Sequence, residues 1–357
     1  MKGSKLLPFW ERKDKSGIPL LLLKILSSVY LLGYTIRKSF YGLGLIQVKE
    51  LKAKVISVGN LTLGGSGKTP FVLYLAKRLK QKGMNFAILT RGYKRRSKTT
   101  KELKRIDSPG IKWEEVGDEP FLLSNHLPEI PVIIDKDRYN SGKIALDRYK
   151  AKVLILDDGF QHWRLKRNLD ILMIDSSIDL EKEKLFPLGR LREPLSSLKR
   201  AGIFILNRAD QSIHKDKTKL LLQKFKPRSP IVESILEVTS VLNWKNKTKT
   251  DLDSLKGKKG LAFCGIGNPS SFERTLRFLG VEILNAFFFL DHYIYSRKDL
   301  FSLEEERKKV GADFLFTTEK DSIRLPETKD PQIPLLVVNV ELKIISGEEK
   351  LWEVLNL

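Results

Sequence analysis

The residues best suited to chemistry begin at Gly64-Gly65-Ser66-Gly67-Lys68-Thr69. Glycines let a backbone turn so that successive N–H groups point inward at phosphate oxygens, and a following helix adds the partial positive charge of its N-terminus. At this spacing Lys68 neutralises β- and γ-phosphates, and the Thr69 hydroxyl is a ligand for Mg²⁺. The general pattern wants glycine five residues before Gly67, where this chain has Thr62. The part that wraps a β-phosphate is intact. Nucleotide binding is therefore expected over Thr62, Leu63, Gly64, Gly65, Ser66, Gly67, Lys68 and Thr69, against the alternative of a glycine-rich surface turn.

Such a loop needs a carboxylate at the end of a neighbouring strand to hold the metal or its water. Val153-Leu154-Ile155-Leu156-Asp157-Asp158 offers two after an apolar run, at the edge where open α/β sheets bind ligands. Asp158 is expected to contact Mg²⁺; the competing reading is that either aspartate caps the following turn. His162 follows four residues later and by itself reads as structural.

The elements that must position these groups are legible as short apolar runs interleaved with helices. Strands are predicted at 55–58, 86–90, 132–134, 153–156, 171–174 and 203–206, with a helix over 71–82 after the glycine loop. Buried runs alternating with helices indicate a doubly wound, mainly parallel α/β sheet. A second, smaller α/β unit is expected from 229 to 357, with strands at 260–264, 281–289 and 313–317 and helices at 269–279 and 297–310. Segments 231–238 and 335–342 could pair as a two-stranded linker and act as a hinge. The nucleotide-binding unit is then 51–228, preceded by an N-terminal helical segment over 1–50.

The 357 residues carry 65 Lys and Arg against 43 Asp and Glu, a net charge of +22. That field attracts polyanions: nucleic acid, anionic lipid or phosphorylated substrates. No zinc-finger spacing, RNA-recognition aromatic motif or heptad array accompanies it, so no nucleic-acid partner is expected. The lysine runs at 215–226 and 245–259 read as solvated faces and loops. A single cysteine, Cys264, excludes an internal disulfide and favours a reducing compartment.

Lys2, Lys5, Arg12, Lys13 and Lys15 precede an apolar stretch, 18–32, interrupted by Lys24 and Ser27-Ser28. The uninterrupted charge-free run, 25–36, is short for a membrane span, which wants about 20 residues, and no small-residue cleavage site suggests a removed leader. On a helical wheel Lys24, Ser27, Ser28, Thr35 and Lys38 form a narrow stripe, and Leu20, Leu22, Leu23, Ile25, Leu26, Val29 and Leu32 cover the rest. This is the pattern of an amphipathic helix at a membrane interface, with Arg37 and Lys38 adding attraction to anionic lipid. The alternative is a helix packed in a core.

Across most of its length the chain resembles the tetraacyldisaccharide 4′-kinases of lipid A biosynthesis. The likeness rests on Val58-Gly59-Asn60-Leu61-Thr62, Arg91-Gly92-Tyr93, Gly117-Asp118-Glu119-Pro120 and Asp157-Asp158-Gly159-Phe160-Gln161-His162. Further on it rests on Pro187-Leu188-Gly189, Leu191-Arg192-Glu193-Pro194, Asp291-His292 and Thr317-Thr318-Glu319-Lys320-Asp321. Thr62 looks normal for this family. The resemblance implies a kinase that uses ATP and Mg²⁺ to phosphorylate the 4′-hydroxyl of a tetraacylated glucosamine disaccharide 1-phosphate. It implies Asp118 as the catalytic base, His292 pairing with it, Lys68 at the phosphates, and Asp158 and Glu193 at metal-associated positions. Arg91, Tyr93, Arg138 and Arg192 match polar positions around the cleft, the arginines suiting phosphate through their planar forks; each could otherwise be a surface ion pair. It also implies peripheral attachment to the cytoplasmic face of the inner membrane, an anionic surface, and no obligate protein partner.

A second reading is a membrane-associated regulatory P-loop NTPase. It draws on Asn207-Arg208-Ala209-Asp210, which loosely resembles the guanine-reading Asn-Lys-x-Asp of GTPases with Arg in place of Lys.

Overall fold

A computed structural model describes residues 20–104, 110–327 and 333–357. The N-terminal cations Lys2 to Lys15 and the first residues of the apolar stretch lie outside the described residues. In chain order the elements are α1 (Leu20–Gly42), β1 (Lys54–Asn60), α2 (Lys68–Gln81), β2 (Phe86–Thr90), β3 (Lys101–Leu103), α3 (Trp113–Val116), α4 (Asp118–His126), β4 (Val132–Ile134), α5 (Arg138–Tyr149), β5 (Val153–Asp157), β6 (Leu169–Asp175) and β7 (Ile203–Asn207). There follow α6 (Lys215–Phe225), β8 (Ile231–Asn243), β9 (Lys249–Thr250), β10 (Lys259–Cys264), α7 (Pro269–Phe278), β11 (Glu282–Phe288), α8 (Arg297–Val310), β12 (Phe314–Thr318), α9 (Glu319–Ser322), β13 (Leu335–Ser346) and α10 (Glu348–Leu355).

Two units divide the chain. Among the described residues, the larger holds 20–235 together with Leu342–Leu357, and the smaller is Leu236–Glu341, inserted between them. The expected boundary at 228/229 therefore falls at 235/236, and residues 342–357, expected in the second unit, belong to the first. Their helix α10 is fastened there by polar tips that its sequence does not advertise: Tyr74 Oη donates to Glu348 Oε1 (2.5 Å), and Lys54 Nζ caps the last turn at the Leu355 and Asn356 carbonyls. Strands β8 and β13 each cross a boundary between the units. They are neighbours in the smaller unit, where Asn339 Nδ2 donates to Ser240 Oγ (3.2 Å).

The larger unit's strands lie in the order β8-β7-β6-β1-β5-β2-β4-β3, parallel except for β3 against β4. Strands β2, β5 and β7 are apolar almost throughout and, like β1, are buried along their lengths, as strands covered by helices on both faces must be. Connections from β1 lead to the β5-β2 side and the connection from β5 leads back to β6, so the chain diverges around β1. Ligand crevices of open sheets form at this switch point, outside the carboxyl ends of the strands. In the smaller unit the order is β11-β10-β12-β13-β8, again with parallel β10, β11, β12 and β13. Its core packs Phe263, Phe287, Leu303 and Leu315 on one face and Phe272, Leu276, Phe316 and Leu336 on the other.

Helix α1 inverts the usual amphipathic arrangement. Leu20, Leu22, Ile25, Leu26, Val29 and Leu32 are exposed, and only 11% of its most apolar window is buried, which removes the core-packed alternative. Leu23, expected on the outer face, is buried. What faces the protein is the row Leu23, Ser27, Tyr30, Tyr34, Arg37 and Tyr41, spaced at helical intervals. Most of the lysine run at 215–226 is α6, whose Thr218, Leu221 and Leu222 are buried while Lys217 and Lys224 are exposed and Lys215 and Lys219 pair with Glu233.

Candidate active site

The glycine loop joins β1 to α2 as expected. Gly67 has φ +87° at the helix N-cap, and a Cβ there would lie 2.1 Å from Asn207 Nδ2, so glycine is required on both counts. Thr62 and Leu63 are tied to the 190s loop: Thr62 forms an antiparallel bridge with Leu191, and the Leu63 N–H donates to the Arg190 carbonyl (2.7 Å). Within the loop, Gly64, Gly65 and Ser66 complete the turn, and the buried Ser66 hydroxyl has no partner in the protein. Asn207 holds the loop from β7, donating to the Ser66 carbonyl (3.1 Å) and accepting from Ser234. Arg208 is buried against Asp175 (2.7 Å) and Asp210 is exposed. Of the segment that suggested guanine reading, Asn207 is thus spent on tethering the loop and Arg208 on pairing with Asp175. Sequence reasoning missed that role because Asn207 and Ser66 lie 141 positions apart.

Lys68 opens α2 and reaches back across the loop. Its Nζ donates to Asn60 Oδ1 (3.0 Å) and lies 3.5 Å from Asp158. Arg192 closes the group, engaging both Asp158 oxygens (2.8 and 3.2 Å) and Asn60 Oδ1 (3.2 Å). Asp158 sits just past β5 with φ +53° and 37% of its side chain exposed. Burial opposes its ionisation, but the Lys68 and Arg192 cations outweigh that and hold it below the usual carboxylate range. Asp157 is the reverse case. Nearly sealed at the end of β5, with Glu119 and the Asp158 charge nearby, it is pushed up to about 7. Two adjacent carboxyls thus differ in character because Lys68 and Arg192 outweigh burial at the partly exposed Asp158, whereas burial and the neighbouring carboxylates outweigh Lys68 and Arg138 at Asp157.

Arg138 heads α5, where Asp137 caps the helix by accepting from the Tyr139 N–H (2.9 Å). Its guanidinium donates to the Asp135 carbonyl (2.7 Å), and its buried Nε has no partner in the protein. Burial pulls Arg138 down to about 10, against the Asp157 and Asp158 charges that raise it. His162 is held neutral, lowered to about 4 first by burial and then by Arg138. Arg91 and Tyr93 are exposed on the loop after β2.

Asp118 begins α4 and is buried. Gly117 before it has φ +97°, and a Cβ there would stand 3.1 Å from the Tyr93 carbonyl, so the 91–93 and 117–120 turns pack directly on one another. Glu119 on this turn adds to the raised value of Asp157 at the end of β5. His292 belongs to the smaller unit. It has φ +61°, donates its N–H to the Gly265 carbonyl (3.2 Å) and lies 3.8 Å from Asp291, which also faces Lys320 (3.7 Å).

Glu193 follows Arg192 on the same loop. Its buried carboxylate is held by Arg200 (2.8 Å), whose guanidinium stacks on Phe160 and Trp163. A metal-associated role would require it to leave that partner. The remaining donor set, the Thr69 hydroxyl and Asp158, suits Mg²⁺, which takes one or two protein ligands and completes its shell with phosphates and water. Among the described residues no cluster of three or more His, Cys, Asp or Glu could hold a metal without that help.

A family model for tetraacyldisaccharide-1-P 4′-kinase matches residues 19–357. The chain is 36% identical to the tetraacyldisaccharide 4′-kinase of Halothermothrix orenii over 95% of this chain and 92% of that protein. It is 38% identical to that of Syntrophus aciditrophicus over 94% and 93%. The crystal structure of an "apo" form of LpxK from Aquifex aeolicus in complex with ATP matches with a TM-score of 0.71 at 34% identity, covering 94% of this chain and 98% of that one. The chain belongs to the tetraacyldisaccharide-1-P 4′-kinase family.

Proposed function

We propose that the chain transfers the γ-phosphoryl of ATP to the 4′-hydroxyl of a tetraacylated glucosamine disaccharide 1-phosphate. The observation that carries this reading is that the loop supplying Arg192 to the phosphate-facing group is the loop on which α1, with its apolar face outward, is seated. A nucleotide site and a lipid-facing helix are built into one unit.

In this reading the N–H groups of 64–69 cradle the phosphates, the unpartnered Ser66 hydroxyl and Arg138 Nε are donors awaiting them, and Lys68 swings from Asn60 to the transferring group. Mg²⁺, held by Thr69 and Asp158, would neutralise charge between the β- and γ-phosphates. Glu193 is a further candidate for the metal's surroundings. Asp118 accepts the proton of the sugar hydroxyl as the phosphoryl arrives. By the family resemblance His292 is the partner of Asp118, and Arg91, Tyr93 and Arg192 bind the headgroup. The chain rests on the cytoplasmic leaflet, where the exposed leucines of α1 enter the interface of an anionic inner membrane.

The test incubates the purified chain with γ-labelled ATP, Mg²⁺ and the acylated disaccharide 1-phosphate in mixed micelles. Label passes to the lipid, and Asp118→Ala slows that transfer by about 10²–10⁴-fold. Undiminished transfer in Asp118→Ala removes the base assignment. Absence of label on the lipid with the wild-type chain removes the function.

A further inference from the structure

The face that α1 turns toward the protein is polar, and its bonds end on few places. Ser27 Oγ donates to the Leu185 carbonyl (3.2 Å), Tyr30 Oη to the Arg192 carbonyl (2.7 Å) and the Arg37 guanidinium to the Gln161 carbonyl (2.9 Å). Tyr34 Oη shares a hydrogen bond with Ser197 Oγ (2.8 Å). A helix needing only to adhere could do so through apolar contact, since hydrogen bonds to carbonyls give little net stability, about 1 kcal/mol each.

Two of the four acceptors belong to residues whose own side chains enter the nucleotide site. Arg192 grips Asp158 and Asn60. Gln161 donates from Nε2 to the Asn60 carbonyl (3.0 Å). Both routes meet at Asn60, whose Oδ1 receives Lys68 and whose Nδ2 donates to the Thr62 carbonyl (2.6 Å). The Arg37 attachment is braced by Trp163, which meets the guanidinium (4.8 Å) and the rings of Tyr34 and Tyr41 edge-on (5.6 and 5.5 Å). Both segments approached by α1, 159–168 and 185–194, lack regular structure of their own.

We propose that Tyr30 and Arg37 are positioning residues: from α1 they fix the backbones of Arg192 and Gln161, and through them the Asn60–Lys68–Asp158 group that receives the nucleotide's phosphates. The helix that meets the lipid is then a structural member of the nucleotide site. This rests on the proposed reading only in taking ATP as the ligand; it requires nothing of the acceptor.

The experiment measures equilibrium binding of ATP with Mg²⁺ to the full chain in detergent micelles, for wild type, Tyr30→Phe, Arg37→Met and Tyr30→Phe in an Arg192→Lys background. Ser28→Ala and Thr35→Ala are controls, because those hydroxyls bond only to carbonyls of their own helix, Lys24 and Leu31. Losing one net hydrogen bond predicts about five-fold weaker ATP binding for Tyr30→Phe and for Arg37→Met. Tyr30→Phe should lose most of its effect once Arg192 is Lys, because Lys cannot reproduce the two-pronged grip on Asp158. Co-sedimentation with phosphatidylglycerol–phosphatidylethanolamine vesicles and the melting temperature should stay at wild-type values, and both controls should bind ATP normally. Unchanged ATP affinity in Tyr30→Phe and Arg37→Met overturns the proposal. So does a loss that accompanies a fall in melting temperature, or one equal in both Arg192 backgrounds. A wild-type chain that binds ATP yet labels no lipid would refute the proposed function while leaving this inference standing.

Discussion

Both units place an acidic residue and an arginine at the carboxyl edge of a parallel sheet, and the two placements have opposite characters. In the larger unit, Asp158 after β5 is gripped by Arg192, is 37% exposed, and has Lys68 beside it and an unpartnered Ser66 hydroxyl in the adjoining loop. In the smaller unit, Asp321 on α9 is fully buried. It accepts from Arg324 (2.5 Å), Tyr295 Oη (2.9 Å), the Gly265 N–H (2.9 Å) and Thr318 Oγ1 (2.6 Å). Burial there pushes the Tyr295 phenol and the Cys264 thiol well above their ordinary values, with Asp321 adding to both, so neither ionises near neutrality. The same residue types at the same topological position make a site in one unit and a strut in the other. What separates them is whether donors and solvent access are left over.

That contrast is broken most forcefully from the smaller unit. Asp321→Ala leaves Arg324 charged and sealed, and should cost about 3–5 kcal/mol in chemical denaturation. A cost within about 0.5 kcal/mol would mean that the buried pair is not a strut. Lys68→Ala should show the complement: phosphoryl transfer falls by about 10²–10³-fold, the range for removing one charge-stabilising donor, while the melting temperature moves little. A matching loss of stability would erase the distinction.

Asp157 sharpens the comparison through pH. Its folded-state value is about 7 and its unfolded value is that of an ordinary aspartate, so between them the folded chain binds more protons than the unfolded one. Stability from this group is greatest in acid and declines as pH rises toward 7. Asp157→Asn removes the titration, so the melting temperature of the variant relative to wild type should climb from pH 5 to pH 7.5. A flat difference places Asp157 among the struts. The smallest effect is expected outside both edges: replacing the exposed Leu22, Leu26 and Val29 by Ser should change folding stability by under about 0.5 kcal/mol per site while weakening vesicle co-sedimentation. Unchanged vesicle binding would count against α1 as the lipid-facing element.

Much of the architecture was legible because its signals are local. The runs at 86–90 and 132–134 and the helix at 297–310 coincide with β2, β4 and α8, and the glycine loop between strand and helix announced the nucleotide site. What stayed hidden depends on partners distant in sequence. Nothing near Glu348 indicates that α10 turns back to Tyr74, nor does Asn207 signal its tether to Ser66. Nor does the sequence around Glu193 show that Arg200 pairs with it. The wheel for α1 assigned Leu23 to the outer face, because the anchoring row also includes Tyr30 and Tyr34, whose apolar rings hide what their hydroxyls do.

The interposition of Leu236–Glu341 between β7 and α10 also bears on synthesis. As the ribosome delivers the polypeptide, the smaller unit emerges whole before the segment that seals the larger one against α2. The nucleotide-binding half is therefore the last to be completed, and a nascent product halted before residue 342 would display a finished insert beside an unsealed catalytic half.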